Sequence, residues 1–224
     1  MPQETITPGQ ARTVARRWPL ISAGVVLGLV FALGAIVALR SGPAEFDAEW
    51  LEEIVEHRSP LWTAPALAMN FLGGGWFGVF VVPIGVAVAL LIFRKRWSAL
   101  YFVLASAVSA GLVQLLKTLF GRARPEEMLV PSDFGSFPSG HVANAATIAV
   151  ALALILQRRW VWFVGAAWVL LMLLSRTYLG VHWLSDTIGG LLLGAAVAVI
   201  LWTPFAAKLS AEWSVKGPRT SVAP

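Results

Sequence analysis

The 224-residue chain is 58% hydrophobic and only 13% charged, with a mean hydropathy of +0.74, which excludes an ordinary soluble globular domain. It has no cysteine, so neither a disulfide framework nor a thiolate metal site is available. The net charge of +5 would suit nucleic acid in a soluble protein. Here the basic residues stand in short groups beside apolar runs, where they set topology and meet anionic headgroups, and no nucleic-acid partner is expected.

Residues 1–18 are polar, with Pro, Gly and Arg, and read as a cytoplasmic tail. The first predicted span, 20–39, is longer than the apolar region of a signal peptide and lacks a small-x-small cleavage site, so it is retained. Gly42-Pro43 ends it. Within 45–57, Phe46, Trp50, Leu51, Ile54 and Val55 recur at helical spacing while Asp47, Glu49, Glu52, Glu53 and Glu56 take the other positions. This predicts an external amphipathic helix lying along the membrane surface, with His57 as a polar cap and Ser59-Pro60 as its stop. The run 61–72 is too short to span, ends in Gly73-Gly74-Gly75, and reads as interfacial or re-entrant. Further spans are predicted at 76–93, 98–120, 139–157, 160–174 and 184–202, followed by a second cytoplasmic tail at 206–224.

The expected fold is therefore all-α: a polytopic membrane protein with a six-transmembrane-helix bundle over 19–205, an architecture that satisfies every backbone group inside lipid. Gly24-x-x-x-Gly28 and Gly190-x-x-x-Gly194 read as close packing inside the bundle and leave the oligomeric state open. With both termini in the cytoplasm, 11 of the 17 basic residues fall inside and ten of the twelve acids fall outside, as the positive-inside rule requires. The same threading puts three charged clusters at one level on the outer face.

Those clusters carry the chemistry. The first is Lys117, six residues, then Arg124-Pro125; the second is Pro138-Ser139-Gly140-His141; the third is Ser175-Arg176, five residues, His182, three residues, Asp186. Lys117, Arg124 and Arg176 are three cations able to neutralise a phosphoryl group. Ser139 and Gly140 open a helical span, where free N–H groups and the helix dipole attract an anion, Gly140 permits close approach, and the Ser139 hydroxyl adds a donor. His182 and Asp186 are four apart, so the carboxylate can hold one imidazole nitrogen protonated and aim the other as a nucleophile. His141 is then the acid for the leaving oxygen. Asn144 is either a supporting polar group or an interhelical hydrogen bond.

The three clusters, matched at every fixed position and gap, resemble the type 2 phosphatidic acid phosphatase (PAP2) superfamily of membrane lipid phosphatases, whose site is related to that of vanadium haloperoxidases. The resemblance implies that His182 is a nucleophile forming a phosphohistidine, that Asp186 orients it, and that His141 is the acid and later the base. It implies that Lys117, Arg124, Ser139, Gly140 and Arg176 bind phosphate oxygens, with no metal and no other cofactor. Arg122, Glu126 and Glu127 fall outside the fixed positions and their roles stay open. The compact loops look like a bacterial inner-membrane version acting on a lipid phosphate of the outer leaflet: undecaprenyl diphosphate, phosphatidylglycerol phosphate or phosphatidic acid. A lipid phosphotransferase using the same intermediate, or a phospholipid-binding protein without turnover, stays open as an alternative.

Overall fold

The computed structural model describes residues 8–40 and 42–214, and among them there are helices and connecting segments but no strand. The helices are α1 (Pro8–Leu39), α2 (Glu45–Glu56), α3 (Pro60–Gly73), α4 (Val82–Ile92), α5 (Arg96–Phe120), α6 (Gly140–Leu156), α7 (Arg159–Tyr178) and α8 (Leu184–Trp213), with a π-helical stretch, Phe77–Val81, leading into α4. Helix α1 already begins at Pro8 and α8 continues to Trp213, so part of each expected tail is helical. Residues 1–7 and 215–224 of those tails lie outside the described residues.

Each of the six expected spans coincides with a helix, but they are not equivalent. Four helices, α1, α5, α7 and α8, are long and apolar enough to cross a membrane alone. Helix α6 has 17 residues, about 26 Å of rise, a little under the hydrocarbon thickness. It starts only after Pro138-Ser139 and stops where Gln157 takes a left-handed conformation at φ 53°.

The run 61–72 forms a helix that continues, across a bend, into the next one. Helix α3 starts at Ser59-Pro60, with proline in the first turn where its missing N–H costs nothing. It crosses the end of α7: the Ser59 N–H donates to Tyr178 Oη at 2.9 Å, and Ser175 Oγ donates to the Ala66 carbonyl at 2.8 Å. The chain then bends by 47° through Gly73-Gly74-Gly75 and continues into α4. Taken together, α3 and α4 are long and apolar enough for a fifth, bent span. Gly75, at φ 54°, lies at the bend, a conformation a Cβ would strain.

Helix α6 is central, packed against α5, α7 and α8. Between lipid-solvated helices there is little hydrophobic drive, so small residues that let backbones approach do much of the work. On α8, a Cβ at Gly190 would lie 2.5 Å from the Ser139 carbonyl oxygen, and one at Gly194 would lie 2.9 Å from Thr147 Oγ1. That glycine pair is a packing seam inside the bundle. The Gly24–Gly28 pair is not: both are exposed on α1 with nothing within 4 Å of a built Cβ. Large apolar side chains such as Phe31, Val88 and Phe163 point outward, as a lipid-facing surface requires.

Candidate active site

Four helices and the two segments that connect them deliver the predicted residues to one end of the bundle. Lys117 is in the last turn of α5, which Gly121 closes at φ 52°, a left-handed cap that turns the chain over the bundle end. The connecting segment to α6 carries Arg124 and returns through Ser139, the N-cap of α6, with Gly140 and His141 in its first turn. Arg176 is in the last turn of α7, His182 is in the short link to α8, and Asp186 is in the first turn of α8. Backbone bonds join the clusters: Ser139 N–H donates to the Asp186 carbonyl at 2.9 Å, and Ser136 N–H to that of Arg122 at 2.9 Å. All eight predicted site residues therefore lie together.

His182 and Asp186 are buried, 3% and 0% exposed at their side chains, with Nδ1 and Oδ2 3.6 Å apart. That separation is a close approach rather than a hydrogen bond. Arg124 Nη1 lies 3.4 Å from His182 Nε2. A guanidinium only donates, so Nε2 offers its lone pair and the ring proton belongs on Nδ1, facing Asp186. Burial first, and then the Arg124, Arg176 and Lys117 charges, hold the His182 imidazole well below its ordinary value of 6.5. A neutral ring with Nε2 unprotonated is the form a nucleophile needs.

Around that nitrogen stand the cations. Lys117 Nζ donates to Asp133 Oδ1 at 3.1 Å and to the Gly135 carbonyl at 2.7 Å. Arg124 Nη2 donates to Asp133 Oδ1 at 2.6 Å and to the Gly135 carbonyl at 2.9 Å, while Nε donates to the Asp133 carbonyl at 2.9 Å and Nη1 to that of Val181. Burial raises the Asp133 carboxyl, but Lys117 and Arg124 outweigh it and hold it below its ordinary value. Ser139 Oγ and Arg176 Nε are buried without a hydrogen-bond partner in the protein, two donors at the mouth of α6 suited to anion oxygens.

His141 lines the same cavity, its Nε2 3.2 Å from the Asn70 carbonyl oxygen. The same asparagine accepts from Arg176 Nη1 through its side-chain oxygen. Asn70 thus ties the acid candidate to a phosphate-binding candidate, from the arm of the bent span that sequence patterning left without a role. Gly74 is required beside it, because a Cβ there would run into the His141 ring.

Arg122, whose role the sequence left open, proves to be the partner of Asp186. It donates from Nη1 to Asp186 Oδ1 at 2.6 Å and to Ser185 Oγ at 2.7 Å, and from Nη2 to Asp47 Oδ2 at 2.8 Å. Asp47, expected on the polar face of α2, is fully buried and also accepts from Ser185 N–H at 2.8 Å and Ser185 Oγ at 2.6 Å. The signal was in the spacing: Asp47 stands three, four and seven residues before Trp50, Leu51 and Ile54, on the apolar stripe itself. Asn144 Nδ2 donates to the Gly78 carbonyl at 2.8 Å, so it is an interhelical hydrogen bond. His57 is an exposed cap bonded to the Glu53 carbonyl at 2.9 Å. Among the described residues the group with metal-ligand spacing is Glu53, Glu56 and His57, exposed on α2 away from this site.

A cavity of about 890 Å³ opens onto Lys117, Gly140, His141, Arg176 and His182 at its polar end. From there it runs between α4 and α5 as far as Leu91 and Val103. Gly75 to Leu91 spans roughly 24 Å at the helical rise, most of a bilayer core. Phe80, Ile84, Val88 and Leu91 line the groove and are each about half exposed, so it is open sideways to lipid.

Residues 98–209 match the family model described as the PAP2 superfamily. Phosphatidylglycerophosphatase B of Bacillus subtilis is 32% identical over 180 residues, which cover 76% of this chain and 88% of that protein. The undecaprenyl-diphosphatase of Sulfolobus acidocaldarius is 32% identical over 133 residues, 55% of this chain and 64% of that one. The crystal structure of a transmembrane PAP2 type phosphatidylglycerolphosphate phosphatase from Bacillus subtilis superposes with a TM-score of 0.73 over 87% of this chain and 98% of that one, at 22% identity, a likeness of fold.

Proposed function

This chain belongs to the PAP2 superfamily and is a membrane-embedded phosphatase, and we propose that it removes the terminal phosphate of a lipid phosphate or diphosphate through a phosphohistidine. The observation that carries this reading is the single cavity with two unlike ends. Its polar end is lined by His182, His141, Lys117 and Arg176, with Arg124 3.4 Å from His182, and its apolar end is a bilayer-length groove open to lipid. A phosphate on a hydrophobic chain fits both ends at once, and a soluble phosphate ester leaves the groove unused.

In this mechanism His182 Nε2 attacks phosphorus, the bond to the lipid oxygen breaks, and His141 supplies the proton that the departing oxygen takes. Lys117, Arg124, Arg176, Ser139 and the α6 N-terminus hold the non-bridging oxygens as charge develops on them. Asp186 keeps the Nδ1 proton in place and stabilises the imidazolium-like product. Water then attacks the phosphohistidine with His141 as base, and phosphate leaves. The positive-inside distribution of charges supports a site facing outward from a bacterial inner membrane, with both termini cytoplasmic. The relatives' names favour phosphatidylglycerol phosphate and undecaprenyl diphosphate as the first substrates to assay.

The test is phosphate release in detergent over these two lipids and phosphatidic acid, with and without EDTA, alongside trapping of phosphoenzyme by an alkaline denaturing quench followed by an acid challenge. Release with EDTA present and an acid-labile phosphoenzyme are expected. An absolute need for a divalent ion, or transfer of all phosphate to another lipid, would overturn metal-independent hydrolysis.

A further inference from the structure

Lys117 and Arg124, two of the three cations read above as phosphate ligands, already hold an anion. Both bond Asp133 Oδ1, at 3.1 and 2.6 Å. The five N–H donors of Arg124 are all taken: two by Asp133, one each by Val181, Gly135 and His182 Nε2. The cavity is lined by Lys117, Asp133 and His182, while Arg124 lies behind the Asp133 carboxylate. Of these partners Asp133 Oδ1 is the one on an exposed side chain that lines the cavity, so it is the one an entering phosphate oxygen meets and replaces first. The side chain is free to leave. It is 59% exposed, whereas the two cations it bonds are 5% and 8% exposed. The Asp133 backbone need not move, because its carbonyl has its own bond to Arg124 Nε at 2.9 Å.

We propose that Asp133 is a specificity-determining residue: an internal mimic of the substrate's phosphate, whose displacement sets a charge threshold for occupying the site. This rests on the reading of Lys117, Arg124 and Arg176 as a phosphate site. A terminal phosphate carries close to two negative charges near neutral pH. A phosphodiester carries one. A monoanion that displaces Asp133 exchanges one carboxylate's charge for an equal one and gains almost nothing from the cations. A dianion gains the second charge beside two cations that are themselves only 5% and 8% exposed, where it counts for more than in open water. A membrane enzyme works amid a large excess of phosphodiester headgroups sharing the same phosphate chemistry as its substrate. Three unmasked cations would collect them. Asp133 keeps the cations occupied until a terminal phosphate arrives, and its return favours release of product phosphate.

The experiment measures binding rather than turnover. Inorganic phosphate and dimethyl phosphate, a monoanion, are titrated by calorimetry into full-length protein in detergent, as wild type, Asp133→Asn and Asp133→Ser, each checked for an unchanged thermal unfolding midpoint. Wild type is expected to bind phosphate and to ignore dimethyl phosphate. Both variants should bind phosphate roughly tenfold more tightly, the scale of one partly exposed charge-assisted contact, and should now bind dimethyl phosphate. If phosphate binds the wild type but no more tightly, or more weakly, to both folded variants, Asp133 merely positions the cations and the proposal fails. Wild-type protein that takes dimethyl phosphate as readily as phosphate also overturns it. Protein that binds phosphate in none of the three forms overturns the phosphate-site reading itself.

Discussion

At each end of the bundle a helix N-terminus is capped by a carboxylate from a distant part of the chain. At the site end, Asp47 of α2 accepts Ser185 N–H at 2.8 Å in the first turn of α8, while Asp186 accepts Trp183 N–H at 2.9 Å. At the opposite end, Glu212 of α8 accepts Trp97 N–H at 2.7 Å and Ser98 N–H at 3.0 Å in the first turn of α5. Both arrangements satisfy the orphan donors of a helix start. The difference lies in what else the carboxylate touches. Glu212 also accepts Ser98 Oγ at 2.9 Å, and beside it Lys95 lies 4.5 Å from the Trp213 ring: contacts that close a seam and stop there. Asp47 reaches Arg122, Arg122 reaches Asp186, and Asp186 faces His182. The same capping device is a fastener at one end and the support of a reactive pair at the other.

The sharpest way to break the comparison is to remove the reactive pair. His182→Ala should abolish phosphate release, and Asp186→Asn should lower it on the order of 10³-fold or more, since imidazole orientation and tautomer both depend on that carboxylate. Neither change should unfold the helix start as a cap deletion alone would, because Asp47 still caps Ser185. Circular dichroism separates the two effects, and a substantially active His182→Ala protein would end the nucleophile assignment.

One step out, Asp47→Asn keeps the shape but leaves Arg122 with a single carboxylate partner, Asp186. Drawn onto that carboxylate, the guanidinium competes with the imidazole. We expect kcat to fall roughly tenfold, the scale of one charge-assisted hydrogen bond, with KM little changed because no phosphate ligand is touched. A change confined to thermal stability, with kcat intact, would make Asp47 a fastener like Glu212.

A smaller effect concerns pH. Because the His182 pKa lies well below 6.5, lowered by burial first and then by Arg124, Arg176 and Lys117, the ring stays neutral as pH falls through 6.5. The acid limb of kcat/KM due to the nucleophile should therefore lie below 6.5. Arg124→Gln removes the first of those charges, lets the pKa rise, and should move the limb to higher pH in whatever activity is left. An unmoved limb would assign it to another group.

Much of this was legible in sequence because it rests on local rules. Apolar run length located the helices, and the fixed spacing within each charged cluster named eight residues that do meet. What escaped was set by tertiary partners. The spacing rule marks Asp47 as lying on the apolar stripe of α2, but nothing local says that Arg122, some 75 residues on, waits there to pair with it. The short run before Gly73-Gly74-Gly75 was too brief to score as a span. Joined to α4 across its 47° bend it is long enough to count as one, and the same arm carries Asn70, which lies against His141. Composition likewise read the Gly24 pair as a packed seam, although which face of α1 meets α8 depends on the whole bundle.

The weakest perturbation tests the far side of the comparison. Glu212→Gln retains an oxygen to accept from one N–H of α5 but loses the charge that favours a helix N-terminus and one of the two carboxylate acceptors. Loss of a helix cap costs about 1 kcal/mol, and the position is only partly buried, so a modest drop in the thermal midpoint is expected. Activity per folded molecule should not change, since α5 and α8 run the full length of the bundle between this seam and Lys117 or Asp186 at their other ends. Midpoint and kcat measured on the same preparation decide it. If kcat falls by as much as in Asp47→Asn, the seam is coupled to the site through α8, and the two caps differ less in kind than their contacts suggest.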